Sequence, residues 1–370
     1  MKTKIIEMPR RMRGVLCIFT SLVFVLCATR PASAQWRAVD AQNAWNGYNN
    51  AFLYLEPDGY SKVFVTTQGG TTHEDFWRQA EEIEVAEDAY SENPTTANEN
   101  EVEALCDGFV NYVHPATGDN WSSDIYNDDL MWAVIAFARA YKVTGTTRWL
   151  NDAETNFNVV WNRGQAGNGG IWWNTNDNYE NSAANWTFVI AGRLLYNYSG
   201  ISSYKTEADG VFTWAKANLY DSSTGQIYDA PGVTSCQCTY NYGVSIGAGS
   251  EEGDAALITN ASNYVFNDLT NYSGASGGYN ILPNYGQGNL NNSGFNGILM
   301  RWIDTANVHG YISSAVVAAA QANIDQAWAE RNGTTTLVWN DWEAPTPSTG
   351  TYSWDDSAAM AGLLDIPPTS

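Results

Sequence analysis

The sequence predicts an all-α protein built as an (α/α)6 barrel, a toroid of six helical hairpins. Three observations carry that prediction. Apolar residues recur at three- and four-residue steps in twelve segments, near 38–55, 74–91, 98–113, 127–144, 146–162, 180–199, 202–220, 241–251, 254–270, 293–309, 311–331 and 354–365. One hairpin pattern repeats: Tyr141, Gly145, Trp149 and Ala153 return as Tyr196, Gly200, Tyr204 and Ala208, each 55 residues later. The connections alternate, tight at Gly145-Thr146 and Gly200-Ile201, long at 163–179, 221–240 and 271–292. An open superhelix of the same hairpins is the competing architecture.

Residues 1–34 read as a secretory leader. Lys2, Lys4, Arg10, Arg11 and Arg13 form a basic start, and Gly14 to Ala28 is apolar but too short to span a bilayer comfortably. Ala32-Ser33-Ala34 supplies the small-residue cleavage pattern, so Gln35 is expected to begin a secreted, extracellular chain. Residues 35–370 are read as one catalytic domain. Losing the leader, with six basic residues and one acidic one, moves the formal charge from −22 to −27. Such a chain should bind neither nucleic acid nor an anionic membrane surface. It suits a neutral ligand, and the charge also serves solubility.

Cys106, Cys236 and Cys238 remain after the leader, which allows at most one disulfide and leaves a thiol free. No cysteine pair has structural-zinc spacing, and His73, His114 and His309 make no metal-binding pattern. Seven N-x-S/T sequons, at Asn120, Asn185, Asn197, Asn260, Asn271, Asn291 and Asn332, fit a secreted glycoprotein. The ending Asp365 to Ser370 carries no hydrophobic tail, so no GPI anchor is expected.

The segment 127–144 shows the helical pattern well. Leu130, Val134, Phe137, Ala138 and Tyr141 share a face, and Gly145 stops the helix. Each long loop precedes an even-numbered helix. In an alternating inner–outer barrel those helices start at one mouth, where a site is expected.

Asp128-Asp129 opens the fourth helix, after a loop bearing Trp121 and Tyr126. The pair could simply cap the helix, since aspartate suits a first turn. It also meets the requirement of glycoside hydrolysis for two carboxyl groups flanking one bond. Neighbours at a helix start sit at the short separation typical of double displacement. One would be an ionised nucleophile, favoured by the helix N-terminus; the other would stay protonated beside it. Spacing alone does not say which is which.

Further candidates lie in the long loops and at the even helix starts. Gly169-Gly170-Ile171-Trp172-Trp173-Asn174 offers flat indoles for sugar C–H faces, although adjacent tryptophans in an extended strand point to opposite sides. Thr239-Tyr240-Asn241-Tyr242-Gly243 supplies donors and acceptors for hydroxyls. Phe295-Asn296-Gly297 opens the tenth helix, which carries Arg301, and Asp355-Asp356 opens the twelfth. Arg301 has an alternative as a structural ion-pair member, and Asp355 as a helix cap.

Taken together and in order, these stretches resemble family 76 of the glycoside hydrolases, the endo-α-1,6-mannanases. The resemblance runs from about residue 40 to 365 and is strongest at Tyr126 to Asp129 with Trp132, Gly169 to Asn174, Thr239 to Gly243 and Phe295 to Trp302. It implies an (α/α)6 barrel and a retaining attack on α-1,6-linked mannan, with Asp128 as nucleophile and Asp129 as general acid/base. Trp132, Trp172, Trp173, Asn174, Tyr240, Asn241, Tyr242, Phe295, Arg301 and Asp355 are the expected substrate contacts. No metal or organic cofactor is expected. The expected partner is α-1,6-linked mannan or a manno-oligosaccharide, taken up by a monomer. Two positions depart from the family pattern: Tyr242 stands where glutamine is usual, and Glu180 where lysine is frequent.

Other functions compete. A cell-wall transglycosylase of the same family would pass the glycan to a sugar hydroxyl instead of water. A non-catalytic mannan-binding protein would keep the aromatics without needing both aspartates. A lyase or uronyl hydrolase on an (α/α)6 barrel would need a basic groove, which 18 Lys and Arg in the whole chain do not favour.

Overall fold

The computed structural model describes residues 36–113, 118–288 and 291–368. The leader assigned to 1–34 and His114 lie outside the described residues. The rest forms twelve α-helices: α1 (Ala38–Phe52), α2 (Phe76–Glu92), α3 (Thr96–Tyr112), α4 (Asn127–Thr144), α5 (Thr147–Gly164), α6 (Ser182–Ser199), α7 (Ser202–Asn218), α8 (Thr239–Glu252), α9 (Ala255–Asn267), α10 (Phe295–Val308), α11 (Ser314–Ala329) and α12 (Ser353–Asp365). Two short antiparallel hairpins, β1 (Leu53–Leu55) with β2 (Lys62–Phe64) and β3 (Gly274–Ser276) with β4 (Tyr279–Ile281), sit in the connections.

The even-numbered helices make a closed inner ring. Each of α2, α4, α6, α8, α10 and α12 packs on the next, and α12 closes on α2, so the open superhelix is excluded. Composition explains which helices go inside. α4 buries twelve of its eighteen residues, α7 only five of seventeen. A helix apolar nearly all round must be covered on every side, whereas a one-sided helix can face water. Ring closure also needs small residues. A Cβ on Gly243 of α8 would lie 2.9 Å from the Ile298 carbonyl oxygen of α10, so those two backbones touch.

The repeat has a local cause. Gly145 and Gly200 end α4 and α6 in the left-handed region, at φ 72° and 73°, and donate their N–H groups to the carbonyls of Tyr141 and Tyr196. That conformation favours glycine, and it turns the chain outward at once. Trp149 and Tyr204 then bury on the outer helices α5 and α7.

Deeper in the ring, charged residues pair across helices. Arg301 of α10 bonds Glu81 at 2.7 Å and Asp88 at 2.8 Å, while Arg139 of α4 joins Glu84, Glu87 and Asp88 of α2. Among the described residues Glu82, Asp304 and Asp356 make no ion pair, and Asp152 has only a long one, 3.7 Å from Arg148. Burial pushes Glu82 and Asp356 well above the usual range, Asp152 up to about 7 and Asp304 up to about 6. These groups ionise near pH 4 in an unfolded chain. Between about pH 4 and 7 the folded protein therefore holds more protons than the unfolded one, so stability falls as pH rises. We expect the melting temperature to be highest near pH 4–5 and to fall steadily toward pH 8 in a calorimetric series; a rising series would contradict this.

Cys236 and Cys238 form a disulfide with Cα atoms 5.3 Å apart, and Cys106 is a free, buried thiol. Asn185, one of the seven sequons, is fully buried and bonds Ile171 through both side-chain heavy atoms. In the folded state it cannot present an amide for glycosylation. Among the described residues no helix is long and apolar enough to cross a membrane.

Candidate active site

The first turns of the inner helices converge at one mouth and enclose a cleft of about 420 Å³. That size lies within the range of small-ligand sites. α4 contributes Asp128 and Asp129, with Trp132 one turn further along the same face. Tyr126 precedes them, Asp75 and Trp77 come from the start of α2, and Asn181 and Ala183 from the start of α6. Tyr240, Phe295 and Asn291 complete the opposite side, with Trp173 reaching in from the 165–181 loop.

The walls are aromatic. Trp77 lies 6.4 Å from Trp132 and 4.9 Å from Trp354, Tyr126 lies 5.1 Å from Trp173, and Tyr240 lies 4.2 Å from Phe295, between ring centroids. Such surfaces accept the C–H faces of pyranose rings. Among the described residues no group of three histidine, cysteine or carboxylate side chains is placed to hold a metal ion.

The two aspartates differ in environment. Asp128 is 8% exposed, and its Oδ2 accepts the Trp173 indole N–H at 2.9 Å. Burial raises its pKa to about 7, opposed by that N–H and by the free backbone N–H groups of the first helical turn. Asp129 is raised well above the carboxylate range by burial, then by the charges of Asp128, Asp124 and Asp75, with Arg78 opposing weakly. Among the described residues no side-chain donor reaches it. Two adjacent carboxyls that cannot both ionise share a proton. The indole N–H favours the charge on Asp128, and burial beside that charge favours the proton on Asp129.

Six of the twelve expected site residues line this cleft: Asp128, Asp129, Trp132, Trp173, Tyr240 and Phe295. The other six do not. Trp172 is not among the lining residues, and its carbonyl accepts the Asn127 side-chain amide. Asn174 folds its own turn, accepting from Asn176 and Asp177 and donating to Asp177. Asn241 donates to Asp229 at 3.1 Å beneath the wall. Tyr242, two residues past Tyr240, has rotated about 200° around the helix and stacks on Tyr264 of α9. Arg301 lies six residues, or about 9 Å, below the start of α10 and is held in the interior ion pairs. Asp355 is buried and accepts the Gly288 N–H at 2.8 Å.

Sequence reasoning did not pick out Asp75 and Trp77. The signal was available, because α2 is an even-numbered helix and its first turn belongs at the same mouth. Asn127 stands in the sequence only as one member of the Tyr126 to Asp129 motif. It is fully buried and ties α4 to the Trp172-Trp173 backbone.

A closed (α/α)6 ring with a carboxyl pair between aromatic walls has the form of a glycoside hydrolase. Comparison with known proteins gives the particular group: the family model for glycosyl hydrolase family 76 matches residues 38–364, and the chain belongs to that family. It is 27% identical over 194 residues to the mannan endo-1,6-alpha-mannosidase DFG5 of Saccharomyces cerevisiae, a match covering 44% of this chain and 41% of that protein. The matched stretch thus spans about two fifths of that relative's length. Among solved structures, the alpha-1,6-mannanase of a Salegentibacter species superposes with a TM-score of 0.75 at 20% identity, over 89% of this chain and 98% of that one. An inactive variant of that mannanase with two consecutive aspartates replaced, in complex with alpha-1,6-mannotetrose, superposes with a TM-score of 0.74 at 20% identity and the same coverage.

Proposed function

We propose that the protein is a secreted endo-acting α-1,6-mannosidase that cleaves the mannan backbone by double displacement. The observation that carries this reading is the asymmetry of the aspartate pair: a side-chain donor on Asp128 and, among the described residues, none on Asp129. The Asp128 carboxylate attacks the anomeric carbon while Asp129 gives its proton to the departing glycosidic oxygen. A mannosyl ester on Asp128 results. Asp129, now ionised, takes a proton from water, whose oxygen displaces Asp128 and restores the pair. The relative named as a mannan endo-1,6-alpha-mannosidase and the mannanase complex support the linkage.

The cleft supports a neutral substrate. Asp75, Asp128 and Asp129 line it, and among the described residues no lysine or arginine does. An anionic sugar would meet like charge, which argues against lyase or uronyl hydrolase chemistry. Secretion rests on the leader-like residues 1–34. The test is incubation with debranched α-1,6-mannan, with products resolved by size. A series of short oligomers is expected; an unchanged polymer would refute the reading, and products longer than the input would replace hydrolysis by transfer.

A further inference from the structure

We propose that Asn127 and Arg163 form a positioning strut that holds the Trp173 indole N–H on the Asp128 carboxylate. The inference rests on the reading of Asp128 as nucleophile and adds the parts that keep it so.

Trp173 sits on a long irregular loop, not on a helix, yet its N–H must meet one carboxylate oxygen within hydrogen-bond range. The N–H groups of Trp172 and Trp173 donate to the carbonyls of Gly164 and Tyr179. Asn127 holds the carbonyls of both tryptophans. Its backbone N–H donates to the Trp173 carbonyl at 2.7 Å, and its side-chain amide donates to the Trp172 carbonyl at 2.8 Å. Its side-chain oxygen accepts from Arg163 Nε at 2.8 Å. Arg163, in the last turn of α5, also donates from Nη1 to the Ser122 carbonyl at 2.9 Å.

One buried amide thereby joins the start of α4, the end of α5 and the Trp172-Trp173 backbone. Space is tight enough to hold it there: a Cβ on Gly164 would fall 2.8 Å from the Asn127 side-chain nitrogen. Asp128 is the next residue along the chain, so the same element fixes both partners of the indole–carboxylate bond. A guanidinium on the amide oxygen also holds the amide in the orientation that points its N–H groups at the loop.

The charged and titratable groups around the carboxyl pair come from several elements. Asp129 shares α4, Asp124 lies in the preceding loop, Asp75 and Arg78 belong to α2, and Tyr240 faces from α8. Trp173 is the side-chain donor to Asp128. If the strut goes, that donor drifts, the ionised form of Asp128 loses its support, and the acidic limb of the activity profile moves to higher pH.

The test compares pH profiles of kcat/KM on an α-1,6-manno-oligosaccharide for the wild type, Trp173→Phe, Asn127→Ala, Arg163→Met and the Arg163→Met/Trp173→Phe double variant. Each single variant should lose on the order of tenfold to a hundredfold. In each the acidic limb should shift upward. The double variant should be little worse than Trp173→Phe alone, because both changes break one device. Arg163 is only partly buried and lies at a helix end, so its variant should fold even if Asn127→Ala does not. A folded Arg163→Met enzyme with an unmoved acidic limb, or losses that multiply in the double variant, would overturn the strut. Retained turnover in Asp128→Asn would instead remove the nucleophile reading beneath it.

Discussion

Asp128→Asn should abolish turnover of α-1,6-mannan, by on the order of 10⁴-fold or more in kcat, while leaving the fold and oligosaccharide binding intact. The asparagine keeps an oxygen able to accept the Trp173 N–H, so the wall of the cleft should hold its shape. It cannot form the mannosyl ester. Stability gives a second readout. Asp128 is buried with its pKa raised to about 7, so above that pH the native state carries a desolvated charge. Removing it should leave the variant at least as stable as the wild type at pH 8. Near-normal turnover would refute the nucleophile role. Lost binding with lost stability would show that the side chain is needed for the fold.

Asp129→Asn should produce a different pattern. Without the proton donor, cleavage of natural mannan should fall on the order of 10³-fold. A mannoside with a good leaving group needs little protonation and should lose far less in the first step. The second step lacks its base, so a mannosyl enzyme should accumulate. A small anionic nucleophile such as azide, which needs no deprotonation, should restore turnover. Equal losses on both substrates, without rescue, would argue against an acid/base role.

Much of the fold was legible because its signals are local. The αL glycines at 145 and 200, the apolar face of 127–144 and the alternation of tight and long connections each act within a few residues. The expected segments fall on the helices observed, and the grouping of even helix starts at one mouth follows from alternation alone. The site was legible only in part, because adjacency in a motif is not adjacency on a surface. Tyr240 and Tyr242 share a motif but face opposite sides of α8, one in the cleft and one against Tyr264. Arg301 follows Phe295 by less than two turns, yet that drop along the axis carries it into the interior charge pairs. Which aspartate bears the charge was not legible either, since it depends on an indole 45 residues away in the chain. Tertiary contact, not spacing, decides that question.

The Trp173 contact also separates the two long-loop tryptophans by function. One indole lines the cleft and touches the carboxylate; the other's backbone anchors the loop through Asn127.

The measurement that bears most directly on the account is proton NMR of the first mannose-bearing product, recorded before mutarotation. Attack by Asp128 followed by water on the freed face yields an α-configured reducing end. Initial appearance of the β anomer would mean a single displacement by water, and the aspartate pair could not then act as described.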